Sequence, residues 1–230
     1  MVDIWLFPTN FAESDCTGFV SMLSPEESAK AARFHFEVDR VRSIVARATL
    51  RRLLAETAGC YAADLRFAAN SHGKPSAELP LSFNVSHSGD FAAIGISRSA
   101  EVGVDIEHMR ENVEIVSIAQ HYFCPSEVEW LTGLPTADQP SGFYRLWTLK
   151  EAVLKAHGAG LSVPLNEVCV WPAGTVTVAD GEQWSASPWD APKGYAAAVA
   201  IDGPAPPSFR IHHLHRARQN GQSIHLVSEE

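Results

Sequence analysis

Asp105 and Glu107 stand two apart in the run Val102-Gly103-Val104-Asp105-Ile106-Glu107. Side chains two apart share one face of a strand. The pattern therefore predicts a short strand with Val104 and Ile106 turned into a core and both carboxylates turned the other way. Like charges ~4 Å apart at an effective dielectric of ~20 repel by roughly 4 kcal/mol. Either both acids lie in water at a strand edge, or a hard cation compensates them. The hexapeptide alone leaves both readings open.

Two further groups have reactive residue types. Leu81 to Gly89 and Phe91 to Ser97 read as strands joined by a tight Ser-Gly-Asp turn, and the first carries Ser86-His87-Ser88. Two hydroxyls flanking a histidine suit phosphate oxygens, although turn and capping roles are the commoner use. Phe143 to His157 reads as the best helix of the chain, with Leu146, Leu149, Ala152, Val153 and Ala156 as its core stripe. Trp147, Glu151 and Lys155 recur every fourth residue on the opposite side. Glu151 and Lys155 are then either a surface ion pair, worth under ~1 kcal/mol, or part of a shaped site closed by the Gly158-Ala159-Gly160-Leu161 stop.

Other elements must position these groups. Asp3 to Phe7 reads as a strand, and Ser24-Pro25-Glu26-Glu27 as a helix start with a capping box. A long helix is expected from about Val38 to Thr57, stopping at Gly59, with Val41, Ile44, Val45 and Ala48 buried. Arg40, Arg47 and Arg51 share an arc beside that stripe, either as a solvated basic face or as a polyanion site. Leu65 to Ala68 is an expected strand, and Gly73-Lys74-Pro75 a turn that fixes Lys74 in place. Beyond the acidic strand, Asn112 can cap a helix carrying Ile115, Ile118, Ala119 and Tyr122, and Pro125-Ser126-Glu127 opens another with Trp130 and Leu131. Thr132 to Gly142 reads as an exposed loop. Val168 to Trp171, Thr175 to Val178 and Tyr195 to Ile201 read as strands, and Gly203 to Pro207 as a linker. His212, His213 and His215 fit a solvated or edge strand.

The stretches ending at Ile96 and Ile201 echo one another, each some distance beyond a strong helix. The echo predicts two similar α+β halves with a cleft between them.

Composition bounds the function. A net charge of −9 argues against non-specific nucleic-acid binding. No apolar run approaches the ~20 residues of a membrane span. Cys16, Cys60, Cys124 and Cys169 are widely spaced, which suggests neither a zinc site nor a disulfide frame. With no signal-peptide pattern at Met1 to Pro8, these features point to the cytoplasm.

Taken together, Phe83-Asn84-Val85-Ser86-His87-Ser88-Gly89, Gly103-Val104-Asp105-Ile106-Glu107 and Trp147-Thr148-Leu149-Lys150-Glu151-Ala152 with Lys155, Gly158, Gly160 and Leu161 resemble the Sfp-type 4′-phosphopantetheinyl transferases. Gly73-Lys74-Pro75, the Ser24 helix start and Arg42 also match, so the likeness runs over about residues 3 to 201. It implies transfer of the phosphopantetheine arm of coenzyme A to a serine of an acyl or peptidyl carrier protein, with Mg²⁺, releasing adenosine 3′,5′-bisphosphate. It also implies an α+β fold of two pseudo-duplicated halves, residues 1–101 and 102–230, with coenzyme A in the cleft between them. The first half would bind the nucleotide end. The second would carry the metal-binding acids, the catalytic helix and the carrier surface.

By the same resemblance, Asp105, Glu107 and Glu151 would hold Mg²⁺, Glu107 directly or through water. Lys155 would contact the pyrophosphate and stabilise the leaving group. Lys74, Pro75, Ser86 and His87 would bind the nucleotide end, with Arg42 and Ser43 on phosphate; Lys30 lies near a position some members use. Glu127 is a candidate base for the serine proton, with Glu151 or a metal-bound hydroxide as alternatives; a helix first-turn acid is its bland reading. Tyr122, Phe123, Val128, Trp130 and Leu131 would offer an apolar surface to the carrier. A monomer is expected. A coenzyme A-binding protein without transfer and a metal-dependent phosphodiesterase are the rivals.

Overall fold

The computed structural model describes the chain except residues 112, 173–174, 179–180, 219–223 and 229–230. β1 (Val2–Pro8) is followed by the short helices α1 (Thr17–Val20) and α2 (Pro25–Ala31), then by α3 (Glu37–Ala58). α2 starts as its sequence dictates: Ser24 and Glu27 exchange side-chain and backbone hydrogen bonds, with Pro25 at the first position. α3 buries Val41, Ile44, Val45 and Ala48 and ends at Gly59, whose φ of +70° suits glycine. A small hairpin, β2 (Phe67–Ala69) and β3 (Pro75–Ala77), precedes β4 (Ser82–Ser88) and β5 (Phe91–Ser97).

The second run repeats this order. β6 (Val102–His108) leads through α4 (Ile115–Tyr122) and α5 (Pro125–Gly133) to α6 (Gln139–His157). β7 (Thr175–Thr177), β8 (Gln183–Pro188) and β9 (Tyr195–Asp202) follow. β10 (Phe209–Arg218) and β11 (Ile224–Ser228) close the chain. β5 lies antiparallel between β1 and β4, as β9 lies between β6 and β8. The echo in the sequence is thus an echo in structure: its two copies are β5 and β9, each entered through a glycine of positive φ, Gly89 and Gly194.

The fold is α+β. The sheets run β11-β10-β1-β5-β4 and β6-β9-β8-β7. Between them Ile4, Leu6, Ala93, Val104, Ile106 and Val199 form one buried cluster. α3 packs its stripe on the other face of the first sheet, against Phe83 and Ile94, and α6 does the same on the second, against Ala198 and Ala200. β4 and β6, edge strands of different sheets, meet at the seam.

Gly103 sets how close α6 comes. A Cβ there would lie 2.1 Å from the Ala152 carbonyl oxygen and 2.4 Å from the Ala156 nitrogen, both backbone atoms of α6. Gly103→Ala must therefore push the helix off β6. We expect a stability loss of about 1–3 kcal/mol, read by denaturant melts, with Glu151 and Lys155 carried away from Asp105. Wild-type stability and activity in this variant would show that the helix has slack.

Several expectations need correction. Thr132 to Gly142 is mostly helical: α5 runs on to Gly133 and α6 begins at Gln139, with Pro140 in its first turn, where a missing N–H costs nothing. The Leu65 to Ala68 strand starts later, at Phe67. Val168 to Trp171 makes no strand, because side chains take its backbone groups. Lys150 Nζ donates to the Leu165 and Val168 carbonyls, and the Val170 N–H donates to Glu127. β8 was not foreseen. The histidine-bearing β10 is no edge strand; it pairs parallel to β1 and is covered by β11. His212 stacks on Trp5 and bonds Asp3 at 2.8 Å. By pairing, then, β10 and β11, which belong to the expected second half, lie in the first sheet.

Cys124 and Cys169 are joined as a disulfide, Cα atoms 5.8 Å apart, against the reading from spacing. Sequence distance hid a contact that the fold makes across 45 residues. The Asn112 cap lies outside the described residues. Among those described, no helix is long and apolar enough to cross a membrane.

Candidate active site

The alternation of β6 does what its residue types require. Val104 and Ile106 are fully buried between the sheets, while Asp105 and Glu107 turn to the side on which α6 lies. Asp105 is 1 % exposed. Its Oδ1 accepts from Ser86 Oγ at 2.8 Å and from Lys155 Nζ at 2.6 Å. Lys155 also donates to Ser86 Oγ at 2.9 Å. Ser86, Asp105 and Lys155 thus come from β4, β6 and α6, three elements brought together only by the fold.

The seam carries a regular set of bonds. Ser82, Asn84, Ser86 and Ser88, alternate residues of β4, accept the N–H groups of Val102, Val104, Ile106 and His108 at 3.1, 3.1, 3.3 and 3.1 Å. Side chains of one edge strand thus satisfy the backbone of the other, which would otherwise be left unpaired at a buried seam. Ser88 also donates to Glu107 Oε2 at 2.7 Å, and Ser82 to Glu101 Oε2 at 3.0 Å.

The electrostatics show the acids crowding one another. Burial pushes the Glu107 carboxyl above the ordinary range, helped by Asp105. Burial and then Asp105 do the same to Glu151. Burial works against the Lys155 ammonium, yet the attraction of Asp105, Glu151 and Glu107 outweighs it and holds the lysine above its usual value. Lys155 is therefore held as a cation, one lysine facing three acids.

Among the described residues no group of three His, Cys, Asp or Glu is drawn close enough to hold a metal as placed. The donor set still fits one. Asp105 Oδ2 is buried and has no hydrogen-bond partner, and the oxygen-only side chains of Asp105, Glu107 and Glu151 suit a hard divalent cation such as Mg²⁺.

Two cavities flank the cluster and share Pro75 as a wall. One, of about 250 Å³, is lined by Lys74, Asn84, Glu151, Lys155 and Gly158. The other, of about 220 Å³, is lined by Lys30, Ser43, Arg47, Val85 and His87. Loss of solvation in this wall, with Lys155 and Arg42 nearby, holds the His87 imidazole below its ordinary value. Lys74 donates to the Ala156 carbonyl at 2.6 Å and to Glu101 at 2.8 Å, so it also caps α6. Arg42 pairs with Asp90 at 3.2 Å.

Two expected assignments change. Glu127 is fully buried and takes no part in this cluster. Its carboxylate pairs with Lys150 Nζ at 2.6 Å and accepts the N–H groups of Cys124 at 3.0 Å and Val170 at 2.7 Å. The bland reading, an acid serving its own helix start, is the correct one, and no substrate proton can reach it. Arg40, Arg47 and Arg51 do not act as one face. Arg51 turns inward to Glu27 and to the Ala62 and Leu65 carbonyls, and Arg40 pairs with Glu13. Arg47 faces Glu27 at 3.7 Å and still lines the cavity beside Ser43 and His87. Phe123 and Leu131 are core residues, leaving Tyr122, Val128 and Trp130 nearer the surface.

Sequence reasoning passed over Lys150, Asn84 and the ladder role of the serines. A signal existed for the ladder: Ser82, Asn84, Ser86 and Ser88 stand in strict alternation along one strand.

The chain is similar to known proteins over most of its length. Residues 101–200 match the 4′-phosphopantetheinyl transferase superfamily, and residues 10–99 match the N-terminal region of 4′-phosphopantetheinyl transferases. The chain is 33% identical over 208 residues to the 4′-phosphopantetheinyl transferase HetI of Nostoc sp., covering 88% of each protein. It is 34% identical to the transferase ffp of Bacillus subtilis over 69% of this chain and 70% of that one. Sfp of Bacillus subtilis is 32% identical over 66% of this chain and 67% of its own length. Among solved structures, the holo-[acyl-carrier-protein] synthase of Thermotoga maritima aligns with a TM-score of 0.33 at 17% identity, covering 52% of this chain and 70% of that one. The chain belongs to the 4′-phosphopantetheinyl transferase superfamily.

Proposed function

We propose that this protein transfers the 4′-phosphopantetheine group of coenzyme A to a serine of an apo acyl or peptidyl carrier protein, releasing adenosine 3′,5′-bisphosphate. One observation carries the reading. Asp105, Glu107, Glu151 and Lys155 converge at the β4–β6 seam, with Lys74, Ser43 and His87 in the cavities on either side. A diphosphate across the seam would meet carboxylates able to share a cation and a lysine able to take negative charge.

Asp105, Glu107 and Glu151 would hold Mg²⁺, and the chemistry supplied by a bound cation would be neutralisation of phosphate charge. The residues of the chain do the rest. Lys155, kept cationic by its acidic neighbours, is placed to meet the departing phosphate oxygen. His87, Ser43 and Lys30 line the wall where the nucleotide end would lie, and Lys74 and Pro75 bound it. With Glu127 sealed in the core, Glu151, which lines the cavity beside Lys155, is the candidate to take the serine proton. A monomer acting in the cytoplasm belongs to the same proposal, the compartment no longer resting on the cysteines, since Cys124 and Cys169 are joined. That both halves complete one site supports the monomer.

Incubating the protein with Mg²⁺, coenzyme A and an apo carrier, then weighing the carrier, tests the proposal. A gain of the phosphopantetheine mass is expected. Consumption of coenzyme A without a carrier would instead favour the phosphodiesterase, and binding with no reaction a coenzyme A-binding protein. Lys155→Ala is expected to lower turnover by about 10²-fold with a smaller change in coenzyme A affinity, measured by rate and by direct titration. Lost affinity at unchanged turnover would reduce Lys155 to a phosphate contact.

A further inference from the structure

We infer that Ser88 is a positioning residue that aims the Glu107 carboxylate at the cation; the inference rests on the metal-dependent reading above. Ser88 Oγ makes two bonds at once. It accepts the His108 N–H at 3.1 Å and donates to Glu107 Oε2 at 2.7 Å. The first bond ties the hydroxyl to the backbone of β6, and the second ties the carboxylate to the hydroxyl. A glutamate has three rotatable side-chain bonds, and this arrangement removes most of that freedom before a ligand arrives.

Ser86 does the same one step along, accepting the Ile106 N–H and donating to Asp105 Oδ1. The repeat of the strand thereby sets the separation of the two carboxylates. Ser82 makes the same pair of bonds, to the Val102 N–H and to Glu101, which lies outside the acid cluster. Identical chemistry at two positions of one ladder, only one of them beside the cation seat, separates a positioning role from a structural one. The arrangement also explains why Ser88 points away from the His87 wall: residues adjacent in a strand face opposite ways.

The test uses Mn²⁺ as the probe, with coenzyme A present, and follows free Mn²⁺ by electron paramagnetic resonance. Ser88→Ala is expected to weaken Mn²⁺ binding about 10-fold or more, as losses of groups that orient metal ligands do. Ser88→Thr, which keeps the hydroxyl, should restore it. Ser82→Ala should lower the melting temperature about as much as Ser88→Ala while leaving Mn²⁺ binding unchanged. Wild-type Mn²⁺ affinity in Ser88→Ala, or an equal loss in Ser82→Ala, overturns the inference. If the wild-type protein transfers phosphopantetheine but binds no Mn²⁺, the metal reading itself fails; if only the Ser88 variants behave as wild type, that reading stands and the role of Ser88 falls.

Discussion

Asp105→Ala is expected to lower kcat/KM for transfer by about 10³-fold while the protein keeps its fold. The size follows from how many functions meet on one buried carboxylate. Oδ1 holds Lys155 and Ser86, and Oδ2 is buried with no partner, free to serve a cation. The substitution would remove the proposed metal ligand and release the lysine together. Stability should fall by less than removal of a buried partner usually costs, because Lys155 is partly exposed and can turn to water. Asp105→Asn separates the two effects, since it keeps the shape and a hydrogen-bond acceptor for Lys155 but not the charge. Matched circular dichroism spectra and carrier mass shifts at several Mg²⁺ concentrations give the readout. Full activity of Asp105→Ala with Mg²⁺ present would remove this residue from the site.

Glu127→Ala should do the opposite: a loss of about 3–5 kcal/mol of stability with chemistry intact in the fraction that folds. Lys150 and Glu127 are both completely buried, 2.6 Å apart. Burial presses the Lys150 ammonium down while Glu127 pulls it up. Taking away one member leaves the other charged in the core without its partner. The same carboxylate also holds the start of α5 and the Val170 segment, and three of its bonds go together. For a domain of this size the melting temperature should drop by roughly 10 °C or more. Replacing both residues, Glu127→Leu with Lys150→Met, should cost less than either single change, since no orphan charge remains. Glu127→Gln in a protein that melts as wild type, yet no longer transfers, would restore Glu127 as the base and contradict its burial.

Glu127 and Asp105 show where a sequence reading succeeds and where it stops. Both are acids beside apolar residues, and both were assigned to the chemistry. The facing of Asp105 is legible because strand alternation is local. Val104 and Ile106 had to be inside, so Asp105 had to face the other way, whatever lay there. For Glu127 the deciding partner was Lys150, 23 positions on, and nothing in either neighbourhood marks the pair. Arg51 repeats the lesson: its helix and its arc were legible, but not that Glu27 and two carbonyls would enclose it.

What the sequence determined by itself was the set of elements governed by short-range rules. The capped start of α2, the αL stop of α3, the β4–β5 turn and the apolar stripe of α6 follow from residue type and periodicity. So does the common face of Asp105 and Glu107. The doubled plan was also visible, because β5 and β9 solve the same packing problem with similar residues. Only the tertiary structure decided that β10 would return to pair with β1, that Cys124 would meet Cys169, and that Gly103 would let α6 close on β6. It also decided that the serines of β4 would take the N–H groups of β6. Each of these depends on groups far apart in the chain, whose pairing is set by the packing of whole sheets. The acid cluster has both origins: strand periodicity aligned Asp105 and Glu107, and the approach of α6 brought them Glu151 and Lys155.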